Sequence, residues 1–234
     1  MRFNFISMQE LLKNIQIKVN EKTYVKDPET SELGKRIIEN SIILINDIGF
    51  EAFTFKKLGN HISSNESSIY RYFENKHKLL IYITSWYWAW LEYQIVIQTF
   101  SIANPSEKLD KIIAIITAKT EIDSNFSHIN EKLLNKIIIN EYSKSFLTKE
   151  VDSENKEGYF SIYKRLISRI ENAIIEVNKE YPYPASLASA LVEGSLHQHF
   201  LSEHFPTLTN CENGVTPTEF YSNLISNTLK NQSL

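Results

Sequence analysis

The chain has 234 residues and a mass of 27.2 kDa, which is enough for one or two compact domains. With 42% hydrophobic and 23% charged residues, its composition excludes wholesale disorder. Six glycines and six prolines are too few for the frequent tight turns of a sandwich or barrel, so an all-β fold is not expected.

Targeting and redox signals are absent from the sequence. The single cysteine, Cys211, has no second cysteine with which to form a disulfide, a thiolate zinc site or a redox pair. The amino terminus lacks the apolar run of a secretory signal, and polar residues interrupt the most apolar stretch, 79–100. We therefore expect a cytoplasmic protein with no membrane segment.

Charge is distributed unevenly along the chain, whose formal net charge is −3. Residues 1–32 carry five basic and five acidic side chains, 33–80 carry seven and five, and 81–234 carry thirteen and eighteen. A mildly basic segment is therefore joined to an acidic body, which is compatible with a small anion-binding unit on an unrelated core.

The basic segment has the pattern of several short helices. Apolar residues recur at three- and four-residue steps over 33–48, which predicts an amphipathic helix ended by Gly49. Further helices are predicted over 54–62 and 66–73, with a long one from residue 76, and their candidate caps are Thr54, Asn65 and Asn75. Helix, sharp turn and helix at this spacing fit a helix-turn-helix, although a generic helical corner is the alternative.

Several motifs of this segment resemble the DNA-binding domain of the tetracycline-repressor (TetR) family. They are GFEAFT at 49–54, LG at 58–59, SIYRYFENK at 68–76 and the pair LL at 79–80. The resemblance covers about 37–83. It implies an all-α protein in which a three-helix helix-turn-helix DNA-binding domain, 33–80, precedes an all-helical effector-binding and dimerisation domain, 81–234.

The resemblance also implies which side chains contact DNA. They are Thr54, Lys56, Glu66, Ser67, Ser68, Tyr70, Arg71, Tyr72 and Lys76. Tyr72 has packing as its alternative role, and Lys56 has that of an ordinary solvated charge. Two positions depart from the family pattern. Ser63 stands where a turn glycine is usual, and Glu66 places an acid where phosphate would be repelled or a cytosine amino group could donate.

Residues 1–32 precede the resemblance. Apolar and polar residues alternate over 15–25, which favours either a small hairpin or an ordered arm. The basic residues of this segment could reach DNA, but acidic residues match them in number.

The larger body is predicted to be helical over about 76–100, 105–121, 128–149, 157–178, 184–203 and 217–230. Trp86, Trp90 and Tyr93 lie at helical spacing and could line an effector pocket, although core packing is the favoured alternative. The resemblance implies a four-helix dimer interface from 160–178 and 184–203. The histidines at 197, 199 and 204 lack the four-residue step of a helical metal site, so no metal or other cofactor is predicted.

No catalytic motif is present, and we do not expect an enzyme. The sequence predicts a homodimeric, ligand-responsive transcriptional regulator that binds double-stranded DNA at a pseudo-palindromic operator. A repressor released by an unknown small-molecule effector is the favoured form. The alternative is a helical ligand-binding or protein-interaction module that keeps the fold without specific DNA binding.

Overall fold

The computed structural model describes residues 17–120, 128–211 and 215–230. These residues contain no strand, so the predicted all-α fold is confirmed. The α-helices are α1 (Glu32–Ala52), α2 (Phe55–His61), α3 (Glu66–Tyr70), α4 (Lys76–Thr99), α5 (Pro105–Thr117), α6 (Glu131–Glu141), α7 (Val151–Lys156), α8 (Ser161–Val177), α9 (Pro184–His204) and α10 (Pro217–Lys230).

Helices α1, α2 and α3 form a small domain whose buried side chains belong to the same hydrophobic core as those of the rest of the protein. The predicted end of the first helix at Gly49 is confirmed: Gly49 adopts φ +76° and ψ 157°, outside the helical region, so α1 consists of two helical pieces joined across a kink at this residue. Helix α3 is shorter than predicted and ends at Tyr70. The fully buried side chains include Ile38, Ile42, Phe53, Leu58, Ile69 and Phe73.

Helix α4 joins this domain to the body. All side chains from Leu79 to Glu92 are buried, so α4 is a central helix rather than an amphipathic one. The predicted helix over 128–149 is split into α6 and a 3₁₀ turn at Tyr142–Ser145. The one predicted over 157–178 begins at Ser161, because Gly158 at φ +85° separates it from α7. None of the described helices is long and apolar enough to cross a membrane.

The described part of the amino-terminal arm, 17–31, is extended chain with two 3₁₀ turns and contains no hairpin. Local hydrogen bonds close its two turns, and further hydrogen bonds tie it to the rest of the protein. The Val25 N–H donates to the Tyr72 carbonyl at 2.8 Å, and the Asn20 amide donates to the Gly158 carbonyl at 2.9 Å. The Val25 N–H is a backbone group that a hairpin would pair within the arm, whereas the Asn20 donor is the side-chain Nδ2. Residues 1–16 of the predicted arm lie outside the described residues.

Candidate nucleic-acid interface

A tight turn sets the angle between α2 and α3. Ser63 adopts φ +51°, a conformation that glycine adopts more readily, and the Ser64 N–H donates to the Gly59 carbonyl at 2.8 Å. A β-carbon on Gly59 would lie only 2.8 Å from the Ser64 carbonyl oxygen. The close approach is therefore made by Gly59, and the left-handed position is filled by Ser63 despite its side chain.

Most of the predicted DNA-contacting side chains share the open surface of α2 and α3. Ser67, Tyr70 and Arg71 are exposed, and Glu66 and Ser68 are partly exposed. The Tyr70 ring packs edge-on against Phe55 with centroids 5.1 Å apart, which orients its hydroxyl along the outer face. The other exposed members of the set are Thr54, which caps α2 through the Lys57 N–H, and Lys56.

Hydroxyl, phenol and guanidinium groups on one exposed helix can donate to phosphate oxygens and to base edges. Glu66 interrupts this set of donors. Its Oε1 lies 3.5 Å from the Tyr70 hydroxyl, the outer limit of a hydrogen bond, so the carboxylate remains available to other donors.

Lys76 and Tyr72 have other partners in the structure. The Lys76 ammonium donates to the carbonyls of Phe50, Glu51 and Phe53 at 3.0, 3.1 and 3.2 Å. All three of its hydrogens are therefore used to cap the end of α1. Tyr72 is buried, and its hydroxyl hydrogen-bonds Ser31 Oγ at 2.8 Å. The geometry favours the packing alternative for Tyr72.

The carboxyl end of α1 also contacts α6 and the 3₁₀ turn after it. The Phe50 N–H donates to Glu141 Oε1 at 3.1 Å, and the Lys144 ammonium lies 2.7 Å from Glu141 and 3.1 Å from Glu51. Hydrogen bonding to Glu141 raises the pKa of Lys144. We call these residues, with Lys76, the α1–α6 junction. The sequence pattern did not indicate it, because its members lie some 90 residues apart and only folding brings them together.

The tryptophans predicted as a ligand-binding wall lie inside the body. Trp86 is 2% exposed and Trp90 7%, and both belong to the hydrophobic core, whereas Tyr93 is partly exposed. Nearby, the hydroxyls of Tyr142 and Tyr163 both donate to Glu193 Oε1. Burial raises the pKa of both tyrosines. The burial of the two tryptophans favours core packing over a pocket wall.

The three histidines of α9 do not converge. His199 Nε2 is 3.0 Å from the Thr117 carbonyl, and burial lowers the pKa of this imidazole. His197 stacks on Phe200. Within the described residues, no group of three or more His, Cys, Asp and Glu side chains could hold a metal ion.

A helix-turn-helix domain with an exposed polar α3, followed by a helical body, defines a class of DNA-binding regulatory proteins. Residues 37–83 match the family model described as "Bacterial regulatory proteins, tetR family". This segment is therefore a DNA-binding domain of the TetR type, as its motifs predicted. Members of this family are regulators rather than enzymes.

Solved structures extend the likeness of fold to the body. AibR in complex with isovaleryl coenzyme A and operator DNA is 19% identical, with a TM-score of 0.55 over 82% of this chain and 96% of that chain. The TetR-family transcriptional regulator PfmR from Thermus thermophilus is 14% identical, with a TM-score of 0.56 over 85% and 100%. The superantigen PfiT is 15% identical, with a TM-score of 0.57 over 88% and 100%. No curated protein sequence matches the chain.

Proposed function

We propose that the protein is a homodimeric transcriptional repressor of the cytoplasm that binds a pseudo-palindromic operator and is released by a small-molecule effector. The observation that carries this proposal is the exposed donor surface of α3, mounted on a helix-turn-helix whose turn is fixed by Gly59. Such a helix enters the major groove, and a dimer presents two of them to adjacent half-sites.

We assign the contact with DNA to a few side chains. Five of the seven basic residues of 33–80 have hydrogen-bond, ion-pair or aromatic partners, namely Lys35, Arg36, Lys57, Lys76 and Lys78. Lys56 and Arg71 have no such partner in the part of the chain that the structure describes. They are therefore the cations most available to phosphate, with Thr54, Ser67, Ser68 and Tyr70 as neutral donors. Glu66 is suited to a cytosine amino group.

Helix α9 offers a surface for the second subunit. One face of α9, turned away from the core residues Ala188, Leu191 and Ser195, carries exposed side chains at steps of four and seven residues. They are Ser186, Ala190, His197 and His204. Small residues in the first half of this stripe allow close approach of a symmetry-related helix. Ile167 on α8 and Phe160, which directly precedes that helix, are partly exposed and would complete an isologous four-helix contact.

The α1–α6 junction links effector binding in the body to release of the protein from its operator. Glu141 and Lys144 belong to the body, whereas Phe50 and Glu51 belong to the DNA-binding domain. A ligand that shifts α4 or α6 changes the position of α1, and with it the separation of the two α3 helices. The ligand acts to the extent that it binds one arrangement more tightly than the other.

The test is a salt titration of binding to the DNA upstream of the protein's own gene, with a scrambled fragment as control. Two cations per subunit give four per dimer and a slope of about −3.6 in log K against log salt. Arg71→Gln should lower both affinity and slope, and Tyr70→Phe should lower affinity alone. Lys136→Gln removes an exposed charge on α6 and should change neither. Binding unaffected by Arg71→Gln would refute the assigned surface.

The second candidate is a module of this fold without specific DNA binding, and Glu66 is the observation that favours it. An acid at the start of α3 repels phosphate, and the superantigen PfiT has a similar fold. Absence of binding to either fragment at low salt, by a protein that is dimeric and folded, would favour this candidate over the repressor.

A further inference from the structure

A groove with a volume of about 510 Å³ lies between α4, α5 and α8, away from the tryptophans. Its apolar lining is formed by Ile95, Ile112, Ala173 and Ile175, and cationic side chains from α5 and α8 line it as well. This volume is within the range of small-molecule sites. The combination suits a ligand with a hydrocarbon part and a charged end.

Two arginines share one buried carboxylate at this groove. Arg165 Nε lies 2.7 Å from Glu92 Oε2, and the Nη2 nitrogen of Arg169 lies 3.0 Å from Glu92 Oε1. Although burial alone would raise the pKa of Glu92, hydrogen bonds from Arg165 and Arg169 lower it, so the carboxylate is ionised. The single negative charge of Glu92 is therefore shared by the two positive charges of Arg165 and Arg169.

The remaining charges leave the groove with an excess of one positive charge. Lys108, the third cation of the lining, is 2.9 Å from Glu176 and is neutralised by it. Glu92 is only 7% exposed, whereas Arg165 is 58% and Arg169 42% exposed, so each guanidinium presents N–H groups to solvent at the groove. A guanidinium binds a carboxylate through paired hydrogen bonds without a large structural change.

We propose that this groove binds an amphipathic monoanion, a carboxylate on a hydrocarbon chain, with Arg169 and Arg165 holding the carboxylate. The regulatory role of this ligand rests on the repressor function proposed above, in which the ligand is the effector. Its carboxylate shares the arginines of α8 with Glu92, and this weakens the contact between α8 and α4. Helix α4 begins at Lys76, in the α1–α6 junction, so the groove is connected to the DNA-binding domain through one continuous helix.

Calorimetric titration of the DNA-free dimer with octanoate, octanol and octyltrimethylammonium tests the charge requirement. Octanoate should bind at least about tenfold more tightly than either chain-matched control. Equal binding of octanol would overturn the proposal, because a merely apolar crevice does not select for charge.

Variants test the location. Arg169→Gln leaves Arg165 paired with Glu92, and Lys108→Gln breaks only the outer bridge to Glu176, so each removes the excess charge while the buried carboxylate keeps a partner. Both should weaken octanoate binding about tenfold. Lys136→Gln, on α6, which contributes no residue to the groove lining, should not weaken it. Wild-type binding by both groove variants overturns the site. Since no DNA is present, failure of the operator titration would refute the repressor and leave this result intact.

Discussion

Replacement of Ser63 by glycine should stabilise the protein, although glycine normally weakens a fold. Ser63 is held at φ +51°, and a left-handed conformation costs a residue with a β-carbon about 1–2 kcal/mol. Glycine relieves that cost but loses about 0.5–1 kcal/mol through the freedom of the unfolded chain. The net gain is about 0.5–1 kcal/mol. The matched control is Ser64→Gly, at a neighbouring position of negative φ, where only the loss applies.

Thermal unfolding of the two variants at one protein concentration measures the difference. Ser63→Gly should raise the free energy of unfolding and Ser64→Gly should lower it. The two variants should differ by about 1–2 kcal/mol, or roughly 3–6 °C in Tm for a chain of this size. Fixed concentration matters because association of subunits contributes to the Tm. Equal Tm values would refute the assignment of strain to Ser63, and a lower Tm for Ser63→Gly would show that its side chain stabilises the turn.

Two further changes test the junction and the α5–α9 contact. Lys76→Gln removes charged hydrogen bonds from three carbonyls, which should cost about 2 kcal/mol of stability in thermal unfolding. As a phosphate ligand, Lys76 would instead leave the Tm unchanged and reduce the salt slope of DNA binding. His199 has a lowered pKa in the folded state, so the unfolded chain binds its proton more tightly and stability falls as pH drops through about 6.5. Between about pH 7.5 and about pH 5.5, the Tm of His199→Gln should fall less than the Tm of wild type. An equal fall would show that His199 does not cause the pH dependence.

The small domain was predictable from sequence because its signals are local. The motifs over 49–54 and 68–76 specify caps, a turn and docking faces within one stretch of chain, and the family model covers the same residues that the resemblance did. The site was predictable only in part. Residues whose role depends on exposure alone, such as Ser67 and Arg71, lie on the open face as expected. The carbonyl partners of Lys76 could not be predicted from its position in a motif, because they lie about 25 residues away along the chain.

The body shows where sequence periodicity stops being informative. Helix α4 is buried on every side from Leu79 to Glu92, so spacing did not distinguish a pocket wall from core in its aromatic run. The ion pairs between Glu92 and α8 could not be predicted for a different reason, because the two arginines lie 73 and 77 residues away along the chain. A buried acid within an otherwise apolar run is the one local signal that could have revealed it, because burial of a carboxylate requires a partner.

The distribution of positive charge explains how a weakly basic domain can still act on DNA. Most basic side chains of 33–80 maintain the fold: Arg36 donates to the Ile62 carbonyl beside the turn, Lys57 to that of Ala52, and Lys76 caps α1. Because few cations remain to contact phosphate, the electrostatic contribution to DNA affinity should be small. In the proposed complex, discrimination between sequences would depend on neutral donors and on Glu66, whose interactions with base edges vary little with salt. Operator preference should therefore persist at salt concentrations at which total affinity is already low.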